Sequence, residues 1–360
     1  MNSILVTRSI YYNAFLCYAA NMLSWDPPKE ILTLPVIERP LVWYGVLFAF
    51  GFWLGYQILF WIYKKTLSNA VCSEDVTNWE GIISHLQNGR IPDLWQALDP
   101  VMQRRMRNWS RGQEIDPRWK KILLPLLDRP ALERLGFIRS NKAKAKIFCE
   151  RLSIHVIIGA VLGARLGHLL FYEPLSDLVK DPLLVFRVWE GGLASHGGIA
   201  GIFISLAVFA KRSRVRFLQL VDWLVLPACF AAFFIRIGNF INQEILGTLT
   251  NLPWAVVFGH PADGSMPAPR HPVQIYEALA YLAIGLILLG VKKRGAWFFT
   301  LAFTFRFFIE FLKEKQSVLV GSDALLNMGQ WLSLPLILLG VIWLVYGQRG
   351  AQRRSVARTF

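Results

Sequence analysis

Long apolar tracts set the pattern of this chain. The tract from Leu41 to Tyr63 contains no acidic residue, lysine, arginine or histidine. As a helix it would extend about 34 Å, which is enough to cross a lipid bilayer. Further apolar tracts follow near residues 152–172, 193–210, 217–235, 273–291, 295–312 and 324–346. The pattern predicts an all-α, polytopic integral membrane protein with about seven transmembrane helices.

Composition supports this class of protein. Hydrophobic residues make up 54% of the chain and charged residues only 18%, whereas about a quarter of the residues of a typical soluble domain are charged. The cysteines show neither CxxC pairing nor metal-ligand spacing against histidines: Cys17, Cys72, Cys149 and Cys229. We therefore predict no disulfide framework, no metal site and no cofactor.

Basic residues predict the orientation of the helices. They occupy every second connection between apolar tracts, for example at Lys64 and Lys65 and again at Lys292 and Lys293. The positive-inside rule makes these connections and the C-terminus cytoplasmic, and it puts the N-terminus and the loops 173–192, 236–272 and 313–323 outside. The net charge of +15 therefore fits membrane topology, and no nucleic-acid partner is predicted.

Changes in composition divide the chain into five segments. Residues 64–151 contain 17 lysines and arginines against 10 acidic residues, and we interpret them as a helical cytoplasmic insertion. The sequence leaves open whether this insertion lies on an anionic membrane surface or is a small solvated appendage. The other segments are an extracytoplasmic or interfacial stretch, a first transmembrane helix, six further helices with a cavity, and a basic cytoplasmic tail: 1–40, 41–63, 152–346 and 347–360.

Polar residues interrupt the apolar tracts at one depth. An ionisable group inside a span costs about 2.5–3.5 kcal/mol, so each one needs a structural or functional reason. With the predicted topology, these residues all lie toward the outer side of the membrane: Tyr44, Arg165, His168, His196, Arg236, Asn239, Glu244, Gln274, Glu277, Arg306 and Glu310.

Helical spacing brings some of these residues onto shared faces. Three pairs are three or four residues apart: Arg165 with His168, Gln274 with Glu277, and Arg306 with Glu310. The spacing predicts a cavity open toward the outer leaflet. Arginine suits phosphate because its planar guanidinium makes paired, charge-assisted hydrogen bonds. A phospholipid head group is the ligand that such a cavity would take.

Structural interpretations of the same residues remain open from sequence. Arg306 and Glu310 would also make a structural ion pair, and Arg187 and Arg270 fit snorkelling anchors at span ends. Asp222 fits a helix-end or packing residue. The glycines around His196 would also permit close helix packing. His196 itself also fits a residue that only lies at the membrane interface.

Eight motifs, taken in order, resemble one family. Five of them are "SHGGIAG", "RIGNFINQEILG", "RHPVQIYEAL", "FRFFIEFLKE" and "NMGQWLS", which begin at Ser195, Arg236, Arg270, Phe305 and Asn327. The other three are "LVWYG", "GARLGHLLFY" and "DWLVLP", which begin at Leu41, Gly163 and Asp222. The ordered set resembles the prolipoprotein diacylglyceryl transferase family of bacterial inner membranes. The insertion 64–151 is longer than the usual loop of that family.

The resemblance implies a reaction. It is transfer of the diacylglyceryl group from phosphatidylglycerol to the lipobox cysteine of a preprolipoprotein signal peptide, which forms a thioether and releases glycerol phosphate. The reaction would take place in the bacterial inner membrane, with the active site toward the periplasmic leaflet. The nucleophile would belong to the substrate, which agrees with the absence of this chain's cysteines from the motifs. Oligomeric state, acyl-chain preference and lipoprotein clients are not predicted.

The resemblance also implies site residues. His196 is the candidate base that takes the thiol proton, with an arginine-centred activation as the alternative. Arg236 and Arg306 would stabilise charge on the leaving phosphate, with Tyr44 contributing a hydrogen bond at the catalytic centre. Residues implied in phosphatidylglycerol binding are Arg165, Gly197, Gly198, Arg236, Asn239, Asn242, Glu244, Gln274, Glu277 and Glu310.

Other membrane functions fit less well. The HxxxxD spacing of acyltransferases is absent after His196 and His271, and Leu193 occupies a position where a GxSxG hydrolase motif requires glycine. The spans hold too few aspartates for the metal site of a CDP-alcohol phosphotransferase. A lipid or anion transporter would place polar residues on both sides of the midplane, whereas here they lie on one side.

Overall fold

The computed structural model describes residues 22–34, 39–67, 75–171, 173, 180–187, 192, 194–314 and 326–356, and within them helix predominates. The long helices are α1 (Trp43–Thr66), α7 (Asn141–Phe171), α8 (Ser195–Arg212), α9 (Phe217–Ile241), α10 (Val273–Gly290), α11 (Arg294–Ile309) and α12 (Met328–Val356). The predicted all-α, polytopic class is confirmed.

Shorter elements complete the fold. The insertion contributes α2 (Trp79–Gln87), α3 (Pro92–Gln96), α4 (Pro100–Arg107), α5 (Pro117–Leu123) and α6 (Arg129–Arg134). Single 3-10 turns form at Leu124–Leu126, Pro182–Phe186 and Glu310–Leu312. The strands are β1 (Leu23–Trp25), β2 (Glu30–Leu34), β3 (Arg39–Val42), β4 (Val256–Phe258) and β5 (Pro269–Arg270).

Six helices in the described residues are long and apolar enough to cross a membrane, namely α1, α7, α9, α10, α11 and α12. The remaining predicted tract forms α8. Its apolar stretch between Gly198 and Lys211 is only about 12 residues, whereas a span needs about 20. Helix α7 begins at Asn141, so the lysines that precede the second apolar tract are already helical.

The chain divides into two compact units, one formed by Phe60–Ser205 and the other by Met1–Leu59 with Leu206–Phe360. In the first unit, the insertion folds around an apolar core built from α2 to α6 and the chain that follows: Ile82, Leu86, Leu94, Leu98, Met102, Met106, Leu123, Leu127, Leu132, Phe137 and Ile138. The insertion is therefore helical, as predicted.

Local sequence explains why the insertion helices are short. Asp99, Asp116 and Asp128 each accept a hydrogen bond from a backbone N–H at the start of the next helix, which satisfies donors that a helix leaves free. A proline stands in the first turn of each of these helices, a position at which its missing N–H costs nothing. The buried Asp75 joins the insertion to α7 by pairing with Arg129 and with Lys144 Nζ, which is 2.6 Å away.

Helices α7 and α8 meet through glycines in the same unit. A Cβ on Gly201 would lie 2.1 Å from the carbonyl oxygen of Gly159, and one on Gly197 would lie 2.3 Å from that of Gly163. Only glycine fits at such distances, because the obstacle is backbone. Small residues that allow backbones to approach are typical of helix contacts in membranes.

The second unit combines helices α9 to α12 and most of α1 with a small sheet. Helix α9 packs against α10 and α11, and α11 packs against α12. Asp222 of α9 accepts a 2.7 Å hydrogen bond from the backbone N–H of Gly295 at the start of α11, so its interpretation as a helix-end residue is confirmed.

Strands in the N-terminal segment are a feature that the apolar pattern does not predict. Strand β1 pairs in parallel with β4, which pairs with β5, while β2 and β3 form an antiparallel pair. Trp25 of β1 packs on Phe240 with ring centroids 4.6 Å apart, and its indole Nε1–H donates to the carbonyl oxygen of Phe240. The partners of β1 are more than 200 residues away in sequence, which is why periodicity does not reveal the sheet.

Candidate functional site

The carboxyl end of α9 positions the first two site residues. Arg236 and Asn239 are three residues apart near the end of this helix and therefore share a face. Arg236 Nη1 donates a long hydrogen bond of 3.4 Å to Asn239 Oδ1. Asn239 is buried, so its amide fixes one edge of the guanidinium.

The loop after α9 turns back onto the same face. Gln243 and Ile245 have φ angles of 57° and 55°, a left-handed conformation that residues other than glycine rarely adopt. The Glu244 carboxylate between them accepts hydrogen bonds from Asn239 Nδ2 at 2.8 Å and Asn242 Nδ2 at 3.1 Å. Strained backbone of this kind persists where surrounding contacts hold it, often at functional sites.

Helix α10 contributes an amide and a carboxylate. Gln274 Nε2 donates a 2.6 Å hydrogen bond to the backbone carbonyl of Glu244. Glu277, whose side chain is 1% exposed, lies 3.1 Å from Arg236 Nε and 2.8 Å from Lys313 Nζ. Two cations from separate elements thus neutralise one buried carboxylate, which offsets the cost of removing its charge from water.

The end of α11 contributes Arg306 and Glu310. Glu310 Oε2 lies 3.5 Å from Lys313 Nζ, the ammonium that also binds Glu277. Arg306 is half-buried and forms no ion pair with any residue in the described ranges. The Arg306–Glu310 ion pair that the sequence leaves open is therefore not formed.

Two tyrosines mark how closely these groups gather. The Tyr281 hydroxyl interacts electrostatically with Arg236, Glu277 and Arg306 together. Tyr44, near the start of α1, interacts with Asn239 and with the charges of Glu244 and Arg236. Its ring lies against α9, where a Cβ on Gly238 would be 2.7 Å from Tyr44 Cδ2.

Three oxygens of this cluster have no hydrogen-bond donor in the part of the chain that the structure describes. They are Gln274 Oε1, Glu277 Oε2 and Glu310 Oε2. The contacts of the two carboxylate oxygens with Arg236 and Lys313 are ion pairs without hydrogen-bond geometry. Leaving a buried acceptor without a donor costs about 1–3 kcal/mol, so a ligand that brings hydroxyl groups would be stabilised here.

The remaining predicted residues lie in the other unit. The Arg165 guanidinium donates to the backbone carbonyls of Leu184 at 2.9 Å and Gly192 at 3.4 Å. His168 Nε2 lies 3.4 Å from Glu173 Oε1. These contacts attach α7 to the chain that leads into α8.

The predicted base and its neighbouring glycines belong to α8. His196 is in the first turn of this helix, and its side chain lies outside the described part of the structure. Gly197 contacts the backbone of Gly163 and Gly167, and a Cβ on Gly198 would lie 3.4 Å from α7 atoms. Both glycines therefore support helix packing, while their role in lipid binding stays a prediction.

The interpretation of Arg270 as a snorkelling anchor is wrong. Its side chain is buried, and Nη1 donates to the Gly247 carbonyl at 3.1 Å and to Glu314 Oε1 at 2.7 Å. Arg270 therefore ties strand β5 to the chain on either side of it. The sequence does not distinguish these roles because a lone arginine beside a span fits both.

Lys313 is a site residue that is not among the predicted ones, although it lies within the motif "FRFFIEFLKE". The predicted topology puts it in an external loop, yet its side chain is only 7% exposed and contacts two site carboxylates. One signal is available in the sequence: Lys313 follows Glu310 by three residues, a spacing at which opposite charges meet on a helix.

Two ionisable groups near the site titrate away from their ordinary values. The hydrogen bond from His260, followed by that from Gln243, lowers the pKa of Asp26 below 3.8. Burial lowers the pKa of His271, so this imidazole is neutral at pH 7. Both groups belong to connections outside the long helices. Asp26 also joins β1 to the loop after β4, since His260 Nδ1 is 2.8 Å from its Oδ1.

The cluster suits an anionic ligand with hydroxyl groups. Arg306 offers a guanidinium without a carboxylate partner among the described residues, and Arg236 is held in place by Asn239 and Glu277. The described residues contain no group of three or more histidine, cysteine or acidic side chains placed to hold a metal ion.

Comparisons with known proteins show which family this chain resembles. The sequence model of the family described as prolipoprotein diacylglyceryl transferase matches residues 134–346. A curated phosphatidylglycerol--prolipoprotein diacylglyceryl transferase from Protochlamydia amoebophila (strain UWE25) is 36% identical over 354 residues, covering 89% of this chain and 94% of that protein. A protein of the same name from Chlamydia trachomatis serovar D is 29% identical and covers 90% of this chain and 98% of its own length.

A further relative matches a smaller share of this chain. The protein of that name from Tolumonas auensis is 39% identical and is covered over 92% of its length, yet it matches only 62% of this chain. The match to the P. amoebophila relative covers 89% of this chain. This chain belongs to the prolipoprotein diacylglyceryl transferase family.

Proposed function

We propose that this chain transfers the diacylglyceryl group of phosphatidylglycerol to the lipobox cysteine of preprolipoproteins. Membership in the family supports the activity, and the names of the relatives supply both substrates. The observation that carries the site assignment is the half-buried Arg306, which has no ion pair with the described residues. The charged groups around it are ion-paired or, like Glu244, hydrogen-bonded to amides. A phosphate diester would supply the anion that the described residues do not.

The lipid head group also suits the acceptors in the cluster. Phosphatidylglycerol ends in a glycerol with two hydroxyl groups, and each hydroxyl donates one hydrogen bond. Gln274 Oε1, Glu277 Oε2 and Glu310 Oε2 are buried acceptors that lack a donor in the described residues. These oxygens favour a hydroxylated head group over one that ends in a bare phosphate.

The chemistry is a substitution at carbon. The cysteine sulfur forms a C–S bond to the terminal glyceryl carbon as the C–O bond to phosphate breaks, and glycerol phosphate leaves with that bond's electron pair. A cysteine thiol has an ordinary pKa of about 8.5, so a base must remove its proton. His196 is our candidate base, and Arg236 and Arg306 stabilise the negative charge on the leaving phosphate.

Location and orientation follow from charge and chemistry. We propose that the protein spans the bacterial inner membrane many times, with the site toward the periplasmic leaflet and the C-terminus in the cytoplasm. The basic residues after α1, α8 and α10 support this orientation, since such residues are retained on the cytoplasmic side. Both substrates are membrane-anchored, so they would enter sideways between helices.

Reconstitution with labelled phosphatidylglycerol and a lipobox peptide tests the proposal. We expect Arg236→Ala and Arg306→Ala each to lower transfer by about 100-fold or more, as the loss of an oriented charge-stabilising group commonly does. His196→Ala should slow transfer strongly at pH 7, with partial recovery at higher pH as the peptide thiol ionises unaided.

Arg216→Ala serves as the matched control, because Arg216 is an exposed arginine at the other end of α9. It should retain wild-type transfer. If all three site variants transferred at the wild-type rate, the site assignment would be wrong. If the wild type transferred nothing from phosphatidylglycerol, the activity itself would be refuted.

A further inference from the structure

Lys313 contacts two carboxylates of the cluster, Glu277 and Glu310. Its ammonium lies 2.8 Å from Glu277 Oε1 and 3.5 Å from Glu310 Oε2. The side chains of Lys313, Glu277 and Glu310 are all largely buried, at 7%, 1% and 17% exposed. In such surroundings, a carboxylate without a cation would be strongly destabilised.

Arg306 and Lys313 are both at a spacing from Glu310 that allows an ion pair. Arg306 and Glu310 are four residues apart at the end of α11, a spacing at which opposite charges normally pair. In the structure Glu310 is paired with Lys313 instead, and Arg306 has no ion pair within the described ranges. The Glu310 carboxylate therefore lies beside the ammonium of Lys313, and the Arg306 guanidinium has no ion pair with the described residues.

Backbone hydrogen bonds on both sides of Lys313 hold it beside Glu310. The Thr248 N–H donates to the Leu312 carbonyl at 2.8 Å, and the Glu314 N–H donates to the Leu246 carbonyl at 3.1 Å. These bonds fix both neighbours of Lys313 against the chain that follows the Glu244 turn. A Cβ on Gly247 would lie 2.3 Å from the His271 carbonyl oxygen. Only glycine therefore allows the segment around residue 247 to pass so close to His271.

Contacts with the start of α12 place Glu310 beside Lys313. A Cβ on Gly329, in the first turn of α12, would lie 2.6 Å from the Glu310 carboxyl carbon. Glycine therefore leaves the space that the carboxylate occupies. Asn327 Nδ2 also donates to the Glu310 backbone carbonyl at 3.4 Å, which holds this end of α11 beside α12.

We propose that Lys313 is a positioning residue that keeps Arg306 free for the phosphate of the lipid by occupying the carboxylate of Glu310. The inference rests on the proposed function for the identity of the ligand. It assigns Lys313 no contact with substrate. Without the lysine charge, Glu310 would capture Arg306, and phosphatidylglycerol would first have to displace it.

Direct binding of phosphatidylglycerol in detergent micelles tests this inference. If Glu310 captured Arg306 in about nine molecules out of ten, the apparent Kd of a Lys313→Met variant would rise about tenfold. Lys313→Arg keeps the charge and should bind nearly as the wild type does. In transfer kinetics, the same change should appear mainly in KM, since the bound complex would still have Arg306 on the phosphate.

The double variant separates positioning from direct binding. Glutamine cannot hold a guanidinium as a carboxylate does, so Glu310→Gln should make Lys313 dispensable. We expect Lys313→Met/Glu310→Gln to bind phosphatidylglycerol as tightly as Glu310→Gln alone. This comparison remains informative even if the single variant Lys313→Met does not fold, and thermal unfolding of each protein identifies such a case.

Two results would overturn the inference. One is unchanged phosphatidylglycerol binding by a folded Lys313→Met variant. The other is weakened binding on Lys313→Met substitution even in the Glu310→Gln background, which would mean that Lys313 contacts the lipid or supports the fold. Failure of the wild type to transfer the lipid would refute the proposed function instead, because the binding comparison needs no turnover.

Discussion

Glu244 is a carboxylate held by amides rather than by cations. Its two oxygens accept hydrogen bonds from Asn239 and Asn242, and its backbone carbonyl accepts one from Gln274. Asn239 in turn accepts from Arg236. Through these contacts the loop around Glu244 fixes the orientation of Arg236. The amides are uncharged, and their role is to hold the charged groups in place.

Asp26 provides a pH-dependent contact at the residue scale. Its folded pKa is lowered by hydrogen bonds from His260 and Gln243. A lowered carboxyl pKa means that the stabilisation is fully present above the unfolded value of 3.8 and is lost as pH falls through the lower folded value. We expect Asp26→Asn to lower the Tm at about pH 5 and above, and to lower it progressively less as the pH falls below 3.8.

Thermal unfolding of the detergent-solubilised protein across this pH range measures the effect. His260→Gln removes the partner and should reduce the Tm similarly at neutral pH, with the double variant no worse than either single one. A Tm difference for Asp26→Asn that did not shrink as the pH fell below 3.8 would show that the carboxylate charge is not responsible.

At the scale of elements, glycine positions decide how α7 meets α8. Gly159 and Gly163 on α7 face Gly197 and Gly201 on α8 at backbone distances. This contact fixes α8, the helix that begins with the predicted base region. The small residues are visible in the sequence, but the sequence does not show which of them are in contact.

A leucine at Gly201 should force α7 and α8 apart. Overpacking of a close contact commonly costs about 1–3 kcal/mol, and here the obstacle is the carbonyl of Gly159 rather than a flexible side chain. We expect Gly201→Leu to lower the Tm of the solubilised protein and its transfer activity together. Gly290→Leu is the control, because a Cβ there meets nothing within 4 Å. Equal stability of the two variants would contradict the packing argument.

At the scale of the whole molecule, two of the apolar cores within the described residues are built from different parts of the chain. The core of the insertion is built only from residues between Ile82 and Ile138, whereas Phe240, Leu246, Val256 and Phe258 form a core beside the candidate site. The proposed catalytic groups Arg236 and Arg306 belong to the second unit. We therefore expect that a substitution that destabilises the insertion leaves diacylglyceryl transfer intact.

Met106→Ala tests this separation. Met106 is fully buried, and truncation of such a side chain typically costs about 2–5 kcal/mol. Trypsin should then cleave the arginine-rich insertion much faster than in the wild type, while transfer from phosphatidylglycerol is retained. Val101→Ala on the exposed face of the same helix should change neither. Loss of transfer in Met106→Ala while α7 to α12 remain intact would assign the insertion a part in the reaction.

The sequence by itself determined the membrane class, most of the helices and the residue types of the site. Apolar tracts and helical spacing are local properties, so the pairs Arg236 with Asn239 and Gln274 with Glu277 can be recognised from the order of residues alone. Their contacts then agree with the shared faces that the spacing predicts.

Only the tertiary structure decided which charges pair. Glu310 is three residues from Lys313 and four from Arg306, so spacing alone allows either partner. The extended chain around Gly247 fixes the backbone on both sides of Lys313, and Glu310 pairs with it. The strand that contains Trp25 could not be predicted either, because its partner strand is more than 200 residues away in sequence. Pairing between residues far apart in sequence depends on where the backbone places them, and local patterns carry no information about that placement.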